Sequence, residues 1–327
     1  MKNNYGNLKA PFPYFGGKSK VAPVVWDALG DVKQYIEPFF GSGAVLLNRP
    51  ITAQEKRYEI ICDKDGHIAN LWRALQADPD AVANVCDWPC NHADLSARKG
   101  FLIRNENDLL QKLIADPDFY DVKMAGYWIW AASHWIGSGL TRIGKIPQLT
   151  NDRGIGQIPQ LTNDRGIGKI PQLTNNQGIG RHVQDPYADH LWTWFRDLSA
   201  RLRHVKVVCG DWSRVCGGNW QTNNKPCGMF FDPPYGVTDR DTAVYAHDST
   251  EVAAEVFEWC LKRGNDPNLR IVIAGYNEHD ELLQHGWTSQ LWTNSGGFGN
   301  QADGQGKANR HRECLYFSPY CQKTELF

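Results

Sequence analysis

Gln34-Tyr35-Ile36-Glu37-Pro38-Phe39-Phe40-Gly41-Ser42-Gly43-Ala44-Val45-Leu46-Leu47 is the stretch on which the reading of the fold turns. Gln34–Glu37 has the character of a short strand, Pro38–Gly43 that of a turn, and the apolar Ala44–Leu47 opens a helix. Glycines in such a turn let the backbone bend tightly and approach a ligand at a helix N-terminus. The same alternation continues outward. A helical stretch runs from about Ser19 to Leu29, a second strand at Tyr58–Cys62 ends in Asp63, and helical spacing resumes over Ile68–Leu75. After residue 205 strands are predicted at Val205–Cys209, Gly228–Phe231, Leu269–Ala274 and Arg312–Phe317, with a helix at Glu251–Leu261.

The middle of the chain differs. A tryptophan-rich helical segment around Tyr127–Trp135 and a helix with Trp192, Trp194 and Phe195 flank three near-identical units of twelve residues: IGKIPQLTNDRG (143–154), IGQIPQLTNDRG (155–166) and IGKIPQLTNNQG (167–178). Each unit closes on Asn-Asp-Arg-Gly or Asn-Asn-Gln-Gly, which suits a turn with glycine at a positive φ. Three short units with few apolar residues read as an extended loop of turns, not a solenoid, and their near-identity suggests a copy number under little constraint. The tryptophans are expected in the core of this segment; Trp128 and Trp135, seven apart, fit one helix face. The architecture expected is α/β: a Rossmann-like sheet from 1–75 and 205–327, interrupted by a mainly helical and loop insert at 76–204 that holds the repeats 143–178.

Composition bounds the function. The 327 residues carry 35 Lys+Arg against 36 Asp+Glu, and 42% are hydrophobic, as in an ordinary globular protein. The balanced charge neither advertises nor excludes a nucleic-acid partner. No run approaches 18 apolar residues, and MKNNYGNLKAPFPYFGGK lacks the apolar core of a secretory signal, so a cytoplasmic protein without a membrane partner is expected. Nine cysteines, an odd number, fit reduced thiols. Cys86, Cys90 and His92 are spaced like half of a zinc site, but no second pair completes it, and no metal is assigned.

Phe39-x-Gly41-x-Gly43, with Asp63 twenty residues past Gly43 at the end of the next strand, has the spacing of a nucleoside-cofactor site, in which the acid accepts from ribose hydroxyls. A plain tight turn would account for the glycines alone. Met229-Phe230-Phe231-Asp232-Pro233-Pro234-Tyr235 says more. An apolar strand delivers Asp-Pro-Pro-Tyr to its carboxyl end, where open α/β sheets bind ligands. The prolines fix φ and remove two backbone donors, leaving carbonyls to accept. A carboxylate, an unpaired carbonyl and an aromatic face form a cradle for a planar ring bearing an amino group.

With Tyr14-Phe15-Gly16-Gly17-Lys18, Glu37–Gly43, Asp63 and Asp232–Tyr235 in this order, the chain resembles the Dam-like (D12 class) DNA adenine-N6 methyltransferases over about residues 10–75 and 205–318. The resemblance implies a Rossmann-like S-adenosyl-L-methionine (AdoMet)-dependent methyltransferase sheet and a target-recognition insert. Small solitary members of that family often come from phages or prophages, or accompany a restriction enzyme. It also implies that Tyr14 and Lys18 help close the AdoMet pocket, that Glu37 with Phe39, Gly41 and Gly43 holds the methionine portion, and that Asp63 binds the ribose. Asp211 and Trp212 are placed for the cofactor's adenine, and Tyr245 matches a downstream family tyrosine. Asp65 departs from the family's Asp-x-Asn. The expected catalytic set is Asp232, Pro233, Pro234 and Tyr235.

Adenine N6 is a poor nucleophile because its lone pair is delocalised into the ring. Asp232 and the Pro233 carbonyl would bind the amino hydrogens and favour a pyramidal nitrogen, Tyr235 would stack on the base, and Phe39 would tolerate the sulfonium charge. An adenine in a duplex must be flipped out to be reached. The expected partner is double-stranded DNA, bound by a monomer or weak dimer. Residues 141–206 hold ten Lys/Arg against five Asp, a local excess of five, which favours phosphate contacts. Arg142, Lys145 and Arg181 are candidates there, and Arg310 and Arg312 follow from the family's basic C-terminal hairpin. The cradle also fits an N4-cytosine enzyme, although Asp at 232 in place of Ser leans towards adenine by family analogy. A catalytically silent DNA-binding relative, and a protein or small-molecule methyltransferase, are the other classes.

Overall fold

The computed structural model of the chain describes residues 8–12, 18–50, 57–88, 92–134, 188–217, 225–234, 250–276, 280–292 and 313–322. The repeats, Tyr14, Trp135, Arg142, Lys145, Arg181, Tyr235, Tyr245, Arg310 and Arg312 lie outside the described residues. In chain order the elements are α1 (Ala22–Leu29), β1 (Gln34–Glu37), α2 (Ala44–Leu47), β2 (Tyr58–Asp63), α3 (Gly66–Ala77), α4 (Pro79–Cys86), α5 (His92–Ala115), α6 (Val122–His134) and α7 (Ala188–Leu202). Then follow β3 (Val205–Cys209), α8 (Ser213–Cys216), β4 (Cys227–Phe231), α9 (Thr250–Arg263), β5 (Leu269–Tyr276), α10 (Asp280–Gln284), β6 (Thr288–Leu291) and β7 (Glu313–Phe317).

The strands form one sheet in the order β3-β2-β1-β4-β5-β7-β6. β1 to β5 run parallel, and β7 is antiparallel to both of its neighbours. The chain steps outward from β1 through β2 to β3, then restarts beside β1 at β4 and proceeds the other way to β5. The order therefore reverses between β1 and β4, and in open α/β sheets that reversal leaves a crevice at the strands' carboxyl ends. β4 is buried along its whole length, which is why it reads as a continuous apolar run. The edge strand β6, Thr-Ser-Gln-Leu, is largely exposed and carries almost no such signal.

Alternate side chains of the central strands serve two hydrophobic layers, as the strand period requires. Phe230 and Val272 pack with α1 to α7, whereas Met229, Phe231, Ile271 and Ile273 pack with α8, α9 and α10. The boundary drawn at residue 75 falls within α3, and α4 to α7 share α3's layer. Trp128 and Trp194 are buried there, Trp192 packs against them half-buried, and Trp130 is buried as well, as expected of core residues. No described cysteine is disulfide-bonded.

Buried polar groups tie this helical layer to the sheet. Arg73 of α3 donates from Nε to the Val207 carbonyl of β3 at 3.2 Å and from Nη1 towards the carbonyls of Leu113, Asp116 and Phe119, at and beyond the end of α5. It thereby satisfies carbonyls that a helix end leaves open. Asn70 exchanges two hydrogen bonds with the backbone of Asp121, whose carboxylate in turn accepts from Met124 N and caps α6. Glu59 of β2 is clamped by Arg49 at 2.9 Å and by Arg201 of α7 at 2.6 Å. Both guanidiniums hold its carboxyl below the usual range despite burial, which acts the other way.

Candidate active site

The turn after β1 is fixed from three sides. Phe40 N donates to the Cys62 carbonyl at 3.0 Å, Gly41 N to Asp63 Oδ2 at 2.8 Å, and Trp72 Nε1 to the Gly41 carbonyl at 2.9 Å. Gly41 and Gly43 sit at φ 49° and 68°, conformations that L residues rarely adopt. At Gly43 a Cβ would also stand 2.5 Å from Cζ of Phe40, whose ring packs edge-on against Trp72. Gly43→Ala should therefore cost about 1–3 kcal/mol, by left-handed strain and displacement of a packed ring. Urea unfolding monitored by tryptophan fluorescence would measure it, and an unchanged midpoint would contradict this account of the turn.

Glu37, the last residue of β1, is buried and accepts from Tyr35 Oη at 2.9 Å. Burial pushes its carboxyl well above the ordinary range; the Tyr35 hydrogen bond opposes this, and the negative charge of Asp232 adds to it. Asp63, at the end of β2, accepts from Gly41 N through Oδ2 and from Asp65 N at 2.9 Å through Oδ1. Burial, and next the Asp65 carboxylate, push Asp63 up to about 7. Asp65 is the N-cap of α3, accepting from His67 N at 2.8 Å and Ile68 N at 3.4 Å, so the acid that departs from the family's asparagine serves as a charged helix cap.

Beyond β3, Gly210 N donates to the Asp63 carbonyl at 2.9 Å, which lays Gly210-Asp211 alongside the end of β2. Asp211 Oδ1 accepts from Ser213 N and Oγ at 3.0 and 2.6 Å. Trp212 is buried against Phe231 and Trp259, with ring centroids 6.2 and 6.3 Å away. Its indole N–H is buried without a hydrogen-bond partner among the described residues.

Across the reversal, β4 delivers Asp232, with Pro233 buried and Pro234 half-buried behind it. Lys18 Nζ lies 2.8 Å from Asp232 Oδ2, and the ammonium stands 5.9 Å from the centroid of the Trp292 ring. The structure thus gathers Glu37, Phe39, Gly41, Gly43, Asp63 and Asp211 at the ends of β1 to β3, and Asp232, Pro233, Pro234 and Lys18 beside them at β4. Sequence reasoning missed Trp292. It follows the weak edge strand β6, and nothing local marks it out. Of the ten basic residues counted over 141–206, Arg196 is engaged by Asp80 at 2.7 Å and Arg201 by Glu59. Intramolecular carboxylates hold these two.

A reversing sheet of this order, with a glycine turn and carboxylates at the ends of adjacent strands, is a Rossmann-like methyltransferase fold. Residues 14–132 match the family model described as D12 class N6 adenine-specific DNA methyltransferase, a family of enzymes that methylate adenine in DNA. The family implies S-adenosylmethionine as methyl donor and DNA as substrate. The match takes in the glycine turn, Asp63 and the helices through most of α6, and it ends before Asp232. No curated protein matches the chain. No helix among the described residues is long and apolar enough to cross a membrane.

Proposed function

We propose that this chain transfers a methyl group from AdoMet to N6 of an adenine flipped out of duplex DNA. The observation that carries the reading is Asp232, a carboxylate at the carboxyl end of β4, directly across the reversal from the glycine turn and the buried Glu37. The donor set fits the cofactor. Glu37 offers an acceptor to the ammonium of its methionine portion, Asp63 to its ribose hydroxyls, and Asp211 to its adenine, with Trp212 beside it. Gly41 and Gly43 let the backbone approach closely, Phe39 is an apolar neighbour that tolerates a sulfonium, and Tyr14 closes over the group. When bound, AdoMet supplies a methyl carried on a positively charged sulfur.

The protein's own residues do the rest. Asp232 and the Pro233 carbonyl accept the two amino hydrogens, Pro234 stiffens the turn, and Tyr235 stacks on the extruded base. As the N–C bond forms and the S–C bond breaks, positive charge moves to N6, where the carboxylate stabilises it until a proton leaves to water. Arg142, Lys145, Arg181, Arg310 and Arg312 contact phosphates, so DNA affinity falls steeply with salt. Incubation with AdoMet and unmethylated DNA, digestion to nucleosides and mass spectrometry should reveal N6-methyldeoxyadenosine. N4-methyldeoxycytidine would overturn the base, and no modified base would overturn the reaction.

The titration of Asp63 makes the cofactor site sensitive to pH. With its carboxyl near 7, the group loses its charge as pH falls below neutrality, and a neutral acid accepts less strongly from hydroxyls. AdoMet affinity should therefore weaken between pH 8 and 6, by up to about tenfold per pH unit for one coupled proton. Folding responds with the opposite sign. A carboxyl raised from 3.8 to about 7 contributes stability fully below 3.8 and loses it as pH rises through 7. Calorimetric titration at three pH values, with Asp63→Asn as the flattened control, checks the binding claim.

A further inference from the structure

The family resemblance assigns Lys18 to the cofactor pocket, and in the structure its ammonium is engaged by Asp232. Its carbonyl accepts from Val21 N at 3.1 Å and Ala22 N at 2.9 Å, so the residue is rooted in the turn that leads into α1. Its side chain is only 6% exposed, and the ammonium is 2.8 Å from Asp232 Oδ2. That is the length of a strong charge-assisted hydrogen bond. Trp292 covers it at 5.9 Å and is anchored by its backbone N–H to the Glu313 carbonyl at 3.0 Å. Asp232 keeps a quarter of its side chain open. A buried ammonium needs a counter-charge, and this carboxylate provides it.

We infer that Lys18, held beneath Trp292, is a positioning residue for methyl transfer. It acts through Asp232 by fixing the plane of the carboxylate that receives the adenine amino group, and the inference rests on the function proposed above. A carboxylate bound at one oxygen to an anchored ammonium cannot swing about its terminal torsion, and an acceptor misplaced by about 1 Å costs on the order of 100-fold in rate. The ammonium also offsets repulsion between Asp232 and Glu37, two acids the fold brings close enough to influence each other.

The test compares Lys18→Met, Lys18→Arg, Asp232→Asn and the Lys18→Met/Asp232→Asn double variant. Calorimetry gives AdoMet affinity, and single-turnover methylation of duplex DNA is measured with AdoMet and DNA saturating. Lys18→Met should slow the single-turnover step about 100-fold while AdoMet affinity moves less than about threefold. Lys18→Arg should recover most of the rate, and the double variant should be no slower than Asp232→Asn alone. A tenfold loss of AdoMet affinity with the saturated rate unchanged would return Lys18 to the cofactor pocket and overturn the inference. So would rate losses that multiply in the double variant. A wild-type protein that forms no N6-methyladenine would defeat the function reading separately. The Lys18–Asp232 pairing would then be read from thermal unfolding of the same variants, where shifts that add fully would overturn it and shifts that do not would support it.

Discussion

Asp232→Ala should lower N6-methyladenine formation by at least about a thousandfold and leave AdoMet bound within a few-fold of its normal affinity. Removing one preorganised dipolar donor aimed at developing charge costs roughly 10²–10³ in rate. Asp232 is a full charge and faces a nitrogen that turns cationic, so its loss belongs at the upper end of that range. The Pro233 carbonyl remains, but one acceptor cannot orient both amino hydrogens. Glu37 and Asp63, proposed above to hold the cofactor, are untouched. The substitution also strands the Lys18 ammonium, which pairs with Asp232 at 2.8 Å, so Asp232→Asn, which preserves shape, is the companion variant. Quantitative mass spectrometry of digested DNA reads both. Product near the wild-type rate would remove Asp232 from the reaction.

The largest expected effect on stability lies away from the chemistry. Glu59→Ala should destabilise the fold by about 3–5 kcal/mol, because it leaves Arg49, with a side chain 2% exposed, as a buried and uncompensated cation. For a chain of this size that corresponds to a melting shift of roughly 4–7 °C. Asp80→Ala, which breaks the exposed and solvent-screened pair with Arg196, should move the unfolding midpoint far less than Glu59→Ala does. The pH sign is the reverse of that at Asp63. The Glu59 carboxyl lies below its ordinary value of 4.5, so its contribution is present above 4.5 and is lost as pH falls through the lower, folded value. Denaturant titrations of the two variants, at pH 7 and in acid, check the size and the sign.

Much of this was legible from local pattern. β1, α2 and β3 lie where their strand and helix signals placed them; Asp63 and Asp232 drew attention because each closes a mostly apolar strand, whereas Glu37 entered through the family resemblance alone. The 24-residue α5 escaped notice because a mixed charged surface hides its thin buried stripe of Leu102, Leu109 and Leu113. α4 carries a local start signal in the sequence, Asp78 as cap and Pro79 in the first turn. The hold of Lys18 on Asp232, the cover given by Trp292 and the reach of Arg73 to the end of α5 were beyond sequence reading. Each is a pairing between distant segments, and no periodicity encodes a partner.

The place of β4 within the sheet also governs how the molecule is made. Gln34 of β1 is in register with Cys227 of β4, so one edge of a central strand must wait for a partner synthesised 193 residues later. At about 5–20 residues per second a ribosome leaves that edge bare for some ten to forty seconds. Through this interval the nascent chain holds Glu37 and Asp63 but no acceptor for a base, and it exposes an unpaired strand of the kind that recruits other chains. Asp232 is the residue immediately after β4, so the arrival that closes the seam beside β1 also delivers the carboxylate proposed to receive the base. For as long as the inner edge of β1 is unpaired, the growing chain therefore also lacks Asp232, and β4 in its turn waits for β5.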